Sequence, residues 1–287
     1  MESLKPKINI LGPCAAESET QILTMARVLN EHNVGIMRAS WWKPRTKPTR
    51  DENGNLIEGV GIAAAPWFAN ATRMGLTVAT EVMIPDHVSQ VMHGIVGNNG
   101  IPEQVLLWLG SRNQNHLDQR EIAKTLLGES PEQVRLMIKN QPWLDEKHWL
   151  GIVDHVTDAG FPPERILLCH RGFAPGREPN PNKLRNLPDW EMAMRVKEKT
   201  GLPMLVDPSH IGGSRKNVWR ILAEAAQFPF DGVMLEVHPN PDKAVTDAQQ
   251  QLSIADLDQI LQIIGPKPKV SVPSRGITTN DASLDYQ

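Results

Sequence analysis

The chain has 287 residues, with 30 Lys plus Arg against 33 Asp plus Glu and a formal charge of -3. That near-neutral balance excludes a general nucleic-acid or anionic-membrane binder, whose affinity comes from a basic excess. The length suits one α/β barrel, which needs roughly 250 residues, and it buries a core large enough to do without disulfides or a structural metal. Two cysteines, Cys14 and Cys169, make no disulfide framework. The opening residues MESLKPKINI lack the apolar stretch of a signal peptide, and no window approaches the ~18 apolar residues of a membrane span. A soluble protein of the reducing cytoplasm is expected.

In chain order, the first strand-like run is INIL (8–11), followed by a helix start at Glu17 and Ser18. TQILTMARVLNEHN then sets Ile22, Leu23, Met25, Ala26 and Leu29 on one helical face, with a stop expected at Gly35. GIMRA (35–39) is the second strand, and the polar loop RTKPTRDENGNLIEGVG after it is long enough to be a substrate lid. TVATEV (77–82), VLLWLG (105–110) and RLMIKN (135–140) follow, with a further helix start read at Ser130, Pro131 and Glu132. EKHWLGIVDHVTDAG is helical up to Gly160, ILLCHRG (166–172) is a strand, and Gly201 ends the next helix. MLVDPSH (204–210), the helical SRKNVWRILAEAAQF and GVMLEVH (232–238) complete the series. Eight strands alternating with helices predict a (β/α)8 TIM barrel rather than a doubly wound open sheet. The barrel is expected over residues 1–265. The Pro-, Ser- and Asn-rich segment 266–287 reads as a flexible tail.

In a barrel the C-terminal strand ends face one mouth. Those ends carry Cys14; Arg38, Lys43 and Arg45; Glu81; Arg112; Lys139; Arg171; Asp207 and His210; and Glu236 and His238. Six cations in one mouth repel unless anions occupy it, and arginine forks match phosphate and carboxylate oxygens. The pocket should therefore take one or two compact, highly charged substrates. Pro44 holds Lys43 extended, so Lys43 and Arg45 share a face, while Trp41 and Trp42 read as packing walls. Cys14, His210, Glu236 and, as a fourth, Asp247 make a mixed soft and hard donor set suited to Mn, Fe, Co or Zn. The alternative is a buried thiol and an ordinary loop histidine.

The motifs GPCAAES, KPRT, ATEV, GSRN, IKN, HRGF, DPSHIGG and DGVMLEVHPNPDKAVTDAQQQL occur in this order between about Ile10 and Leu261. The chain resembles the 3-deoxy-D-arabino-heptulosonate 7-phosphate (DAHP) synthases of the shikimate pathway. It is most similar to the class I subgroup sometimes fused to chorismate mutase, although the tail is too short for that mutase domain. The related 3-deoxy-manno-octulosonate 8-phosphate (KDO8P) synthases carry a KANR-like segment where this chain has KPRT, and the sialic-acid synthase branch lacks the motif set. The resemblance implies a transferase joining phosphoenolpyruvate to erythrose 4-phosphate in aromatic amino-acid biosynthesis. Arg112 and Arg171 would hold the phosphate of phosphoenolpyruvate, and Arg38 and Lys139 its carboxylate. Lys43 would stand between the substrates, with Asp207 among the binding residues, and Arg45 and Thr46 on the erythrose 4-phosphate phosphate. Cys14, His210, Glu236 and Asp247 match the metal ligands; Lys43, Cys14, His210 and Glu81 are the catalytic candidates. A homodimer or homotetramer is implied, with a chorismate mutase partner conceivable. Ser111, where alanine is common, and the long polar loop depart from the family pattern. Alternatives are a KDO8P synthase using arabinose 5-phosphate and a non-catalytic phosphoenolpyruvate sensor.

Overall fold

The computed structural model describes residues 7–43, 50, 54 and 58–265. Arg45, Thr46, most of the polar lid loop and the expected tail 266–287 lie outside the described residues. Strand β1 (Ile8–Gly12) leads into α1 (Glu19–Glu31), and β2 (Ile36–Arg38) into α2 (Ala65–Arg73). Then come β3 (Thr77–Val82), α3 (Pro85–Gly97), β4 (Val105–Leu109), α4 (His116–Glu129), β5 (Arg135–Lys139) and α5 (Glu146–Asp158). The series continues with β6 (Ile166–His170), α6 (Trp190–Thr200), β7 (Met204–Val206), α7 (Pro208–Gly212), α8 (Arg215–Ala225) and β8 (Gly232–His238). A two-residue β9 (Leu252–Ser253) and α9 (Leu257–Ile264) end the described chain. Each of β1 to β8 pairs in parallel with the next, and β8 closes on β1 from Ile8 opposite Gly232 to Gly12 opposite Glu236. This is the expected (β/α)8 barrel. Among the described residues, no helix is long and apolar enough to cross a membrane.

Period-2 alternation sorts the strands. Outward residues such as Leu11, Val78, Leu107, Leu136, Leu168, Val206 and Leu235 join the helices in one core; Ile10, Ile36, Ala79, Leu106, Trp108, Met137, Leu167, Cys169, Leu205 and Met234 fill the interior. One pleat further along, two residues on, the inward positions change character. Ile36 is followed by Arg38, Ala79 by Glu81, Met137 by Lys139, Cys169 by Arg171, Leu205 by Asp207 and Met234 by Glu236. An apolar plug thus gives way to a charged rim within about 7 Å of strand.

Local chemistry sets the helix starts at this same face. Ser18, Asn115, Asp145, Asp189 and Ser214 each accept a backbone N–H of the helix they cap. Three expectations need correction. Ser130 is the C-cap of α4, because Pro131 and Glu132 open a turn into β5 instead of a helix. The turn after α1 falls to Asn33, at φ 56, ahead of Gly35. The run MLVDPSH is strand only to Val206; Asp207 caps α7, since Pro208 suits a first helical position and cannot extend a ladder.

Gly232 opens β8 where a Cβ would run into the backbone of Ile8 across the closing seam. Gly232→Ala should therefore lower stability by about 3 kcal/mol through overpacking, read as a drop in urea midpoint; an unchanged midpoint would mean that the seam yields freely.

Candidate active site

Arg38, Lys43, Glu81, Trp108, Gly110, Ser111, Arg112, Lys139, Pro142, Arg171, Arg185, His210 and Asp247 line one cleft of about 220 Å³ at the C-terminal mouth. Six cations thus face two carboxylates, an imbalance that favours anionic ligands.

The floor is built from two buried ion pairs over an aromatic ring. Arg38 on β2 is 1% exposed; its Nη2 lies 3.3 Å from Glu236 Oε1, and it donates to the carbonyls of Pro13 and Cys14. Lys139 on β5 donates to Asp207 Oδ2 at 2.7 Å. Trp108 lies beneath both, 5.1 Å from the Arg38 guanidinium carbon and 5.5 Å from Lys139 Nζ. Asp207, expected among the substrate contacts, has both oxygens engaged. Its Oδ1 accepts the His210 backbone N–H, and Oδ2 meets Lys139 Nζ at 2.7 Å and His210 Nδ1 at 2.8 Å. Burial raises the Asp207 pKa, but His210, Lys139 and Arg38 overcome it and hold the carboxyl well below its usual range.

The closing seam brings the expected metal ligands to one side. Cys14 follows β1, Glu236 is on β8, and Asp247 lies in the following loop, in a left-handed conformation at φ 50. Their donor atoms lie within 4.8 Å of one another. Cys14 Sγ is 3.4 Å from Asp247 Oδ2, and burial with the Glu236 charge pushes the thiol up to about 12. Glu236 Oε2 accepts from Gln250 at 2.6 Å, whereas the fully buried Oε1 has no hydrogen-bond donor among the described residues. The fourth expected ligand stands just outside the trio: His210 is on α7, with Nε2 3.8 Å from Glu236 Oε1. A thiol, two carboxylates and an adjacent imidazole nitrogen, with one carboxylate oxygen ion-paired to Arg38 but accepting no hydrogen bond, suit a divalent transition ion.

Lys43 Nζ lies 3.9 Å from Asp247 Oδ2. Burial lowers its pKa, but Cys14, Glu236, Glu81 and Asp247 outweigh this and keep it above the ordinary lysine value. On the opposite wall, burial lowers Arg171 to about 10, and its Nη1 donates to Asn186 Oδ1 at 3.0 Å. Arg112 and Glu81 line the same cleft, and Glu81 rests over Gly110, where any Cβ would strike its carboxylate. Trp41 is fully buried in the outer core, and Trp42 stacks on His87 at 3.7 Å, so both are packing residues as expected.

Several residues escaped the sequence reading. Arg185 donates to Asp247 Oδ1 at 3.0 Å and to Gln250 Oε1 at 2.7 Å; Gln251 accepts the Cys14 N–H at 3.0 Å. Asn186 joins Arg171 to the His210 carbonyl. These come from loops without periodicity, and only the barrel's closure relates them to the ligand set. Trp108 was recoverable, since it is an inward position one residue before β4 ends at Leu109.

Asp207→Asn leaves Lys139 buried beside a neutral amide and should cost about 3 kcal/mol at neutral pH. The carboxyl is depressed in the folded state. Its contribution is therefore complete above the ordinary aspartate value of about 3.9 and is lost as pH falls through the native value. Urea midpoints of wild type and variant should converge as pH falls below about 4; a gap constant with pH would contradict this assignment.

A model of the DAHP synthetase I family matches residues 5–267. The chain is 26% identical over 254 residues to phospho-2-dehydro-3-deoxyheptonate aldolase of Thermotoga maritima, covering 88% of this chain and 67% of that protein. It is 29% identical over 276 residues to 2-dehydro-3-deoxyphosphooctonate aldolase of Desulfatibacillum aliphaticivorans, covering 89% and 90%. The crystal structure of the Thermotoga maritima DAHP synthase matches with a TM-score of 0.74 at 24% identity, covering 90% of this chain and 68% of that one, a likeness of fold. With the barrel matched almost from end to end, the chain belongs to the DAHP synthetase I family.

Proposed function

We propose that the protein is a metal-dependent DAHP synthase that condenses phosphoenolpyruvate with erythrose 4-phosphate and releases phosphate. One observation carries this reading: a single cleft combines six cations with His210, Asp247 and, just behind them, the Cys14 and Glu236 donors. Anion binding alone needs no soft and hard donor cluster, so a phosphoenolpyruvate sensor is the weaker reading.

In the reaction, C3 of phosphoenolpyruvate bonds to the aldehyde carbon, water adds at C2, and the C2–O bond to phosphate breaks. Cys14, Glu236, Asp247 and His210 would hold the ion, which supplies Lewis acidity toward an oxygen of the reactants. Arg112 and Arg171 bind the phosphate of phosphoenolpyruvate, and Arg38 and Lys139 its carboxylate, holding two mutually repelling anions in contact. Lys43, kept protonated by the surrounding anionic groups, is suited to donate a proton or to stabilise charge developing at C2; Glu81 across the cleft is suited to orient the water. Arg45 and Thr46 bind the aldehyde's phosphate.

The relatives named 2-dehydro-3-deoxyphosphooctonate aldolases favour a second reading, in which arabinose 5-phosphate is the aldehyde. The KPRT segment, in place of a KANR-like one, supports the four-carbon substrate. A panel of aldose phosphates assayed with phosphoenolpyruvate under defined metal decides between them. Turnover is expected with erythrose 4-phosphate, whereas preference for arabinose 5-phosphate would assign the second reading. Phosphate release with neither aldehyde would leave the sensor.

Chelation should abolish turnover and Mn²⁺ or Co²⁺ restore it. Cys14→Ser should stay folded but lose bound metal on gel filtration. Because the thiol is held at about 12 without an ion, binding must expel its proton, and metal affinity should rise about tenfold per pH unit near neutrality. Affinity independent of pH would remove Cys14 from the ligand set. Arg45→Ala should raise KM for the aldehyde far more than KM for phosphoenolpyruvate; the reverse pattern would exchange the two phosphate sites.

A further inference from the structure

The loop between β4 and α4 carries Ser111 and Arg112 to the cleft. It has no sheet partner, and its shape is held from behind by two glutamines. Gln114 Nε2 donates to the Ser111 carbonyl at 2.8 Å. Gln119, fully buried in the first turn of α4, donates through Nε2 to the Asn113 carbonyl at 2.8 Å. A carbonyl only accepts, so each amide's orientation is fixed and each Oε1 is left to accept. His148 Nε2 on α5 meets Gln114 Oε1 at 2.7 Å, and His116 Nδ1 meets Gln119 Oε1 at 3.1 Å. The protons therefore sit on Nε2 of His148 and on Nδ1 of His116.

Behind the glutamines the histidines crowd together. The His116 ring lies 5.2 Å from that of His148 and 4.3 Å from that of His155. Trp143 flanks His148 at 4.8 Å. The charged and titratable groups facing His148 are His116 on α4 and, on its own element, His155 and the capping Asp145. Burial, then His116 and His155, pull His148 below the usual histidine value, with Asp145 opposing. Both histidines already donate to their glutamines in the neutral form. Protonation of His148 therefore adds no bond to the brace; it adds charge against the His116 ring tilted 42° beside it.

We propose that Gln114 and Gln119, each backed by a histidine, are positioning residues that set the Ser111–Arg112 segment for its anionic ligand, and that acidification loosens this brace by charging His148 where its ring packs against His116 and Trp143. The inference rests on the reading that this segment holds the phosphate of phosphoenolpyruvate. The signature is an effect on KM for that substrate, since a displaced binding segment weakens ground state and transition state alike.

Kinetics on the metal-loaded enzyme between about pH 6 and 8 test it. Gln114→Leu should raise KM for phosphoenolpyruvate about tenfold, the cost of one positioned hydrogen bond, with kcat little changed. His116→Asn combined with His148→Gln sets amide nitrogens where Nδ1 and Nε2 stand and removes the titration of His148. That pair should keep the wild-type KM at about pH 8 and show a shallower rise in acid. The phosphate of the substrate titrates in the same range, so the ratio of variant to wild-type KM is the quantity read. An unchanged KM in folded Gln114→Leu, or an identical acid limb in the double variant, would overturn the proposal. If wild type turns over neither aldehyde phosphate, the functional reading fails by itself. Calorimetric titration of phosphoenolpyruvate into wild type and the same variants then tests the brace on its own, with the same tenfold loss expected and equal affinity overturning it.

Discussion

Arg38 and Glu236 face each other at 3.3 Å with almost no exposure, and Lys139 meets Asp207 at 2.7 Å under the same conditions. A buried charge left alone costs several kcal/mol, so neither member of a pair is tolerable without the other. Each pair skips one strand: Arg38 is on β2 and Glu236 on β8, with β1 between; Lys139 is on β5 and Asp207 follows β7, with β6 between. In an eight-stranded barrel the interior is layered, alternate strands contributing to the same level. Opposite charges in the even layer therefore meet, as do those in the odd layer, and the Trp108 ring lies within reach of both cations. The barrel's geometry thus makes a charged interior compatible with a stable fold.

The same geometry divides the mouth. Cys14, Glu236 and Asp247 gather where β1 closes on β8, while Arg112, Lys139 and Arg171 stand on β4, β5 and β6 or just after them. Arg38 and Lys43, from β2 and its exit, lie between the two sectors. Each anionic donor has a cation beside it: Arg38 at Glu236, Lys43 and Arg185 at Asp247. Gln250 and Gln251 further fix Glu236 and the Cys14 backbone. These supports hold two mutually repelling carboxylates and the Cys14 thiol close together before any ion is bound, which is preorganisation obtained from long-range contacts.

The barrel and the rim were legible because both follow from alternation along short strands. Ile36 then Arg38, or Met234 then Glu236, announces an interior that turns polar at its end. What alternation cannot reach is pairing between loops. Cys14 and Asp247 are 233 residues apart, and their meeting depends on which strand closes the sheet. Arg185 and Asn186 lie in a segment without period, so nothing local marks them as neighbours of Asp247 and His210. DPSH misled for a local reason: its apolar approach continues a strand pattern, while Asp207 and Pro208 form a helix start. Ser130 misled in the converse way, as a good capping residue at the wrong end of a helix.

The valence of the buried cations gives the cleft its direction. Arg38 has five N–H groups; Nε and Nη2 are engaged by Pro13, Cys14 and Glu236, and buried Nη1 has no hydrogen-bond partner among the described residues. Lys139 has three, one of them given to Asp207. Both are anchored to the barrel, line the cleft, and keep donors that their internal partners do not use. An anion can then bind without breaking either internal pair, so the fold need not give up its own electrostatic compensation when the site fills. A cation whose every donor were spent internally would stabilise the barrel and bind nothing; one with no internal partner would be too costly to bury. Arg38 and Lys139 fall between these limits because each sits one pleat above the apolar plug.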